Sequence, residues 1–170
     1  MRSAPAENIA ALKTLHAALS DLSALQPKIL DLRRLIATAE LQQAAQLARL
    51  QRLDEARRVA GRVATTLHTL RTGAPADELV RNALVDALLF QAELEKQGGM
   101  PARALAACQA AADILRPVHQ THDFNVPAPW VLAHRCTGKD NLVSQQRELL
   151  TKMAYRDANY TRRIQSQPST

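Results

Sequence analysis

The chain has 170 residues, 46% hydrophobic and 22% charged, with a net charge of +6 at neutral pH. That supplies apolar material for one ordinary core, but no apolar run approaches the ~18 residues of a membrane span, and two cysteines are too few for a disulfide scaffold. Aromatics make up only 3%, which disfavours a reader of single-stranded nucleic acid, because such proteins stack bases on exposed rings.

Ala, Leu, Arg and Gln dominate the sequence. All four are good helix formers, and the β-branched runs between turn residues that announce strands are missing. The first segment, Glu7 to about Leu25, steps by three and four through Ile9, Leu12, Leu15 or His16, Leu19 and Leu22. That is one face of a helix. Pro27 interrupts it. A second helix runs from Lys28 to about Gln51 through Ile29, Leu32, Leu35, Ile36, Ala39, Leu41 and Ala44. A third runs from Asp54 to about Leu70, with Asp54 as N-cap, Glu55 in the first turn and the stripe Val59, Val63, Leu67, Leu70.

Thr72–Asp77 reads as a loop, and Asp77 can cap a helix over Glu78–Lys96 carrying Leu79, Ala83, Leu84, Leu88, Leu89 and Ala92. Gln97-Gly98-Gly99-Met100-Pro101 is the next turn, followed by a helix over Ala102–Leu115 with Leu105, Cys108, Ala111, Ala112 and Leu115 inward. A loop then leads to Pro129, a short helix near Trp130–Cys136, a turn at Thr137–Lys139 and a helix from about Asn141 to Met153. The tail 165–170 is expected to be disordered.

The helix ends recur. Leu25-Gln26-Pro27 resembles Leu115-Arg116-Pro117, Leu70 lies midway, and the three leucines are 45 residues apart. Two helices per period of that size point to an α-solenoid, in which stacked pairs complete one another's core. The expected fold is therefore all-α, a right-handed α-solenoid of about seven helices in antiparallel pairs. Residues 1–27 form an N-terminal helix, 28–164 the repeat domain and 165–170 a tail. Because the opening helix ends like the second helix of a pair, it reads as part of a repeat whose first helix lies upstream.

The pairs resemble degenerate tetratricopeptide repeats. Ala44, the turn Gln51–Ala56 and Val63 look like one unit; Ala92, Gly98-Gly99, Ala104, Ala111 and Pro117 look like a second. Trp130–Ala133, Gly138 and the stretch Leu149–Arg156 look like a closing unit. The resemblance covers roughly residues 30–160. Longer first helices and missing aromatic positions depart from the family pattern. The resemblance implies a peptide- or protein-binding module, such as occurs in the C-terminal parts of bacterial winged-helix activators and membrane-bound Ser/Thr kinases.

Arg33, Arg34, Arg49, Arg52, Arg57, Arg58 and Arg62 gather around the first turn, and Arg58 and Arg62 share a helix face. Arg52, Arg57, Arg58 and Arg62 are the candidate partner-binding residues, suited to an acidic protein or peptide; a solvated basic face is the plainer reading. Arg147, Lys152, Arg156, Arg162 and Arg163 make the C-terminal end basic in the same way. Self-association through the Leu-rich first helix is a further expectation, and nucleic acid is the least favoured partner.

Cys108 and Cys136 fall on helices that pack together in a solenoid. They are either disulfide-bonded, which implies an oxidising compartment, or two small buried thiols. His119, His122 and Asp123 with His134 and Cys136 suggest a zinc set, but no close Cys pair supports it. They read as loop polar groups, with His134 on a helix surface. No nucleophile–base arrangement or phosphate loop is recognisable, so no catalytic residue, metal or cofactor is assigned and a non-enzymatic role is expected. If Met1 is the native start, the polar leader Met1–Asn8 predicts a cytoplasmic protein; for a fragment of a membrane protein the periplasm is open.

Overall fold

The computed structural model describes residues 5–25, 30–118, 126–139 and 143–152. Its helices are α1 (Pro5–Leu25), α2 (Leu30–Arg49), α3 (Leu53–Gly73), α4 (Glu78–Gln97), α5 (Pro101–Leu115), α6 (Pro127–Cys136) and α7 (Ser144–Lys152). No strand occurs among the described residues. Each helix packs on the next in chain order, so the protein is an all-α stack of antiparallel helix pairs. In addition α2 packs on α4 and α4 on α6, whereas the backbones of α1 and α3, like those of α3 and α5, stand further apart than those of packed neighbours. The even-numbered helices form a continuous layer, and the odd-numbered helices stand apart over it.

The reversals that produce this layout use one device three times. α2 is followed by Gln51 at φ 61°, α4 by Gly99 at 72° and α6 by Gly138 at 70°. The next amide reaches back into the helix in each case: Arg52 N to Leu47 O at 3.0 Å, Met100 N to Glu95 O at 2.9 Å and Lys139 N to His134 O at 2.9 Å. The left-handed residues themselves donate to Ala48, Lys96 and Arg135 at 3.0–3.1 Å. This is the Schellman pattern, which satisfies the last carbonyls of a helix and turns the chain sharply. Arg52 and Met100 end one helix and cap the next, so three residues suffice to reverse direction.

That geometry explains where the helix starts differ from expectation. α3 begins at Leu53, and its cap is Arg52 rather than Asp54, because the turn bonds of α2 end on the Arg52 amide. Asp54 lies in the first turn and pairs with Arg57. Asp77 does cap α4, accepting from Val80 N at 2.9 Å. α6 starts at Pro127 rather than near Trp130; a first helical turn needs no amide donors, so it accommodates prolines. The expected Asn141 start of α7 lies outside the described residues.

Two apolar clusters fill the stack. One joins α1 to α4 through Ile9, Ala37, Ala44, Val59, Val63, Leu67 and Leu84. The other joins α4 to α7 through Val85, Leu89, Ala111, Leu115, Trp130, Val131 and Leu150. α4 feeds both. Alanines hold the seams of α2 and α5, where Ala37, Ala39 and Ala44, and Ala104, Ala107, Ala111 and Ala112, are buried. Small residues at a contact let helix axes approach, and the larger residues beside them are displaced outward. Leu22, Leu35, Leu79 and Leu105, all expected inside, are exposed. At the open choice on α1, His16 faces α2 with Nε2 3.1 Å from Glu40 Oε1, and Leu15 is exposed.

Cys108 of α5 and Cys136 at the end of α6 are joined in a disulfide, with Cα atoms 5.9 Å apart and 28 residues of separation. Ala92, Ala104 and Ala107 pack around it. Closing a loop of that length stabilises the folded state by about 3–4 kcal/mol in the chain-entropy account.

Two stability measurements follow from these features. Gln51 holds a left-handed conformation that costs a side-chain-bearing residue about 1 kcal/mol, so Gln51→Gly should raise the unfolding free energy by roughly that amount, read from urea denaturation. Paired Cys108→Ser and Cys136→Ser substitutions should lower the midpoint of thermal unfolding, and reductant should do the same to the wild type but leave the double variant unmoved.

Candidate functional site

The separation of the odd-numbered helices leaves a groove on either side of α3. Between α1 and α3, above α2, a groove of about 230 Å³ is lined by Ile9, Lys13, Gln43, Leu47, Arg52, Glu55, Arg58, Val59 and Arg62. Between α3 and α5, above α4, an open groove of about 930 Å³ is lined chiefly by Asp54, Arg57, Arg58, Arg62, Thr65, Gln91, Glu95, Met100 and Arg103. Arg58 and Arg62 line both. They stand one helical turn apart on the exposed ridge of α3.

The four arginines named from the sequence divide into two kinds. Arg52 is engaged locally: Nε donates to Glu55 Oε1 at 2.6 Å and Nη2 to Oε2 at 2.7 Å. This two-point bond holds the Glu55 carboxyl below the usual glutamate range and raises the Arg52 guanidinium further. Arg57 pairs with Asp54 and lies across the α4–α5 turn. A Cβ at position 98 would come 2.8 Å from Arg57 Cζ, so Gly98 makes room for the guanidinium. Arg58 and Arg62 are exposed and make no ion pair or hydrogen bond among the described residues. Those two are available to a partner.

The two grooves are built from equivalent positions. Gln43 and Gln91, Leu47 and Glu95, Arg52 and Met100, and Glu55 and Arg103 are each 48 residues apart, the offset that also separates the left-handed residues Gln51 and Gly99. The scaffold repeats and the chemistry does not. Where the first groove carries Glu55, already satisfied by Arg52, the second carries Arg103, exposed and without an ion-pair partner among the described residues. Where the first has an apolar floor at Leu47, the second has Glu95, 6% exposed, with Oε2 lacking a hydrogen-bond partner. Arg57 Nη1 is likewise buried without a partner in the same wall.

Arg103, Glu95 and Gln91 were not singled out from the sequence. The 48-residue equivalence would have indicated them, but it is visible only once the turn bonds set the register. His119, His122 and Asp123 lie outside the described residues. So do Arg156, Arg162 and Arg163. His134 is not on a surface: it is 5% exposed, its Nδ1 donates to the Trp130 carbonyl at 3.1 Å, and its ring stacks on Trp130 with centroids 3.8 Å apart. Among the described residues no group of three or more His, Cys, Asp or Glu converges, and no helix is long and apolar enough to cross a membrane.

Comparison with family models, with curated proteins and with solved structures yields no match.

Proposed function

We propose that this chain is a non-enzymatic interaction module that binds an acidic peptide or helical segment of another protein on the α3 side of the stack. The observation that carries the reading is the pair of exposed guanidiniums, Arg58 and Arg62, without a hydrogen bond or ion pair among the described residues and held one turn apart between two grooves. Rigid helical placement keeps the charges oriented before binding, and Arg offers carboxylates two parallel donors. Resemblance of the helix pairs to tetratricopeptide units suits the same role, and extends it to a regulatory or scaffolding part of a larger bacterial signalling protein. The Cys108–Cys136 bond favours an oxidising compartment for it.

A panel of acidic, neutral and basic synthetic peptides tests the reading. Acidic members should be retained preferentially, the affinity should fall as salt rises, and Arg58→Glu with Arg62→Glu should lower retention by about tenfold or more. Equal retention of all three classes, or an indifferent double variant, removes the proposal.

A second reading, self-association, is favoured by one feature of α1. Ala11, Leu15, Ala18 and Leu22 are all exposed at heptad spacing along one stripe of the helix. Sedimentation should then show a dimer that Leu15→Glu with Leu22→Glu converts to monomer; a wild type that is monomeric at all concentrations excludes it.

A further inference from the structure

Given the interaction role proposed above, we infer that the partner is an acidic amphipathic α-helix and that it docks in the α3–α5 groove, held by Arg58 and Arg62 on one flank and Arg103 on the other. The facing wall decides between the grooves. Arg58 and Arg62 line both, but only the α3–α5 groove sets a further guanidinium, Arg103, opposite them; the α1–α3 groove has Lys13 there, without the paired donors of Arg. The α3–α5 groove is also the roomier of the two, at about 930 Å³ against about 230 Å³.

The charges match that occupant. Arg58 and Arg62 repeat at the spacing of successive turns of α3, and a helix laid alongside repeats its own i, i+4 carboxylates at the same interval. Arg103 comes from α5, whose backbone stands apart from that of α3 across the groove. A ligand between the two helices therefore meets cations from both walls, and carboxylates on both of its flanks are accommodated. The floor imposes the opposite preference. Glu95 is a buried carboxylate under the groove, so the face of the ligand turned to α4 excludes acids and favours small or hydrogen-bond-donating residues. Met100 offers apolar contact at the turn end. In the α1–α3 groove, by contrast, the residue equivalent to Arg103 is Glu55, whose charge is taken up by Arg52.

The test uses a fluorescein-labelled, Ala/Gln-based helical peptide of about 20 residues with Glu at i, i+4 along both flanks and Ala along the middle, titrated with the full chain by anisotropy. A second probe carries the same composition with a central Pro, and a third is a short DNA duplex. Circular dichroism verifies that each variant folds. Binding to the helical probe should weaken about tenfold in Arg103→Glu and more in Arg58→Glu with Arg62→Glu, while Lys13→Gln changes it less than about twofold. Loss in Lys13→Gln but not in Arg103→Glu would place the ligand in the α1–α3 groove, overturning this assignment while leaving the interaction role intact. Equal affinity for the Pro-broken probe overturns the helical occupant. Tighter binding of the duplex, with the same sensitivity to the arginines, overturns a protein partner, and no binding of any acidic probe overturns both this inference and the role on which it rests.

Discussion

Much in this molecule hangs on how three of its helices end. A helix end leaves carbonyls without partners, and α2, α4 and α6 each dispose of theirs by admitting one left-handed residue and folding two amides back. After α2 and α4 the link is three residues long, and so short a reversal leaves the following helix no choice but to lie antiparallel against the one before it. Repetition of the reversal then sets the even-numbered helices side by side and spaces the odd-numbered ones apart. Grooves are the necessary by-product. They are not carved by loops or by insertions; they are the gaps between helices that share a neighbour but whose own backbones stand apart.

The sequence makes the helices legible because hydrophobic periodicity and Pro/Gly punctuation are strong in it. The stripe Val59, Val63, Leu67, Leu70 is buried along its length, and Asp77 and Pro101 mark helix starts where capping chemistry puts them. What periodicity does not resolve is phase in an alanine-rich chain. Leu105 and Leu35 look like core residues, yet alanine occupies the tight seams and leucine is turned out. The turn at Gln51 is hidden for a different reason. Two of the three left-handed positions are glycine, and the third carries a side chain, so the repeat lacks its most recognisable letter just where the basic cluster begins.

The candidate surface is legible in the same partial way. Composition points to arginines near the first turn, but charge alone does not tell a committed guanidinium from an available one. Only packing shows that Arg52 is closed on Glu55 and Arg57 on Asp54 and the Gly98 backbone. An exposed pair such as Arg52–Glu55 contributes little to stability; the effect of the two pairs here is to take two of four charges out of play. Arg103 was invisible because it lies some forty residues downstream, and it joins the group only across the gap between α3 and α5.

One consequence concerns the ridge of α3 itself. Arg58 and Arg62 belong to both grooves, and a guanidinium committed to a carboxylate on one side is not free to turn to the other. The grooves are therefore not two independent sites. Whatever enters the smaller one, even a single acidic side chain, draws on the same two charges and weakens occupancy of the larger, and the reverse holds by reciprocity. Antagonism between neighbouring ligands is thus built into a single helix face, with no change of shape required.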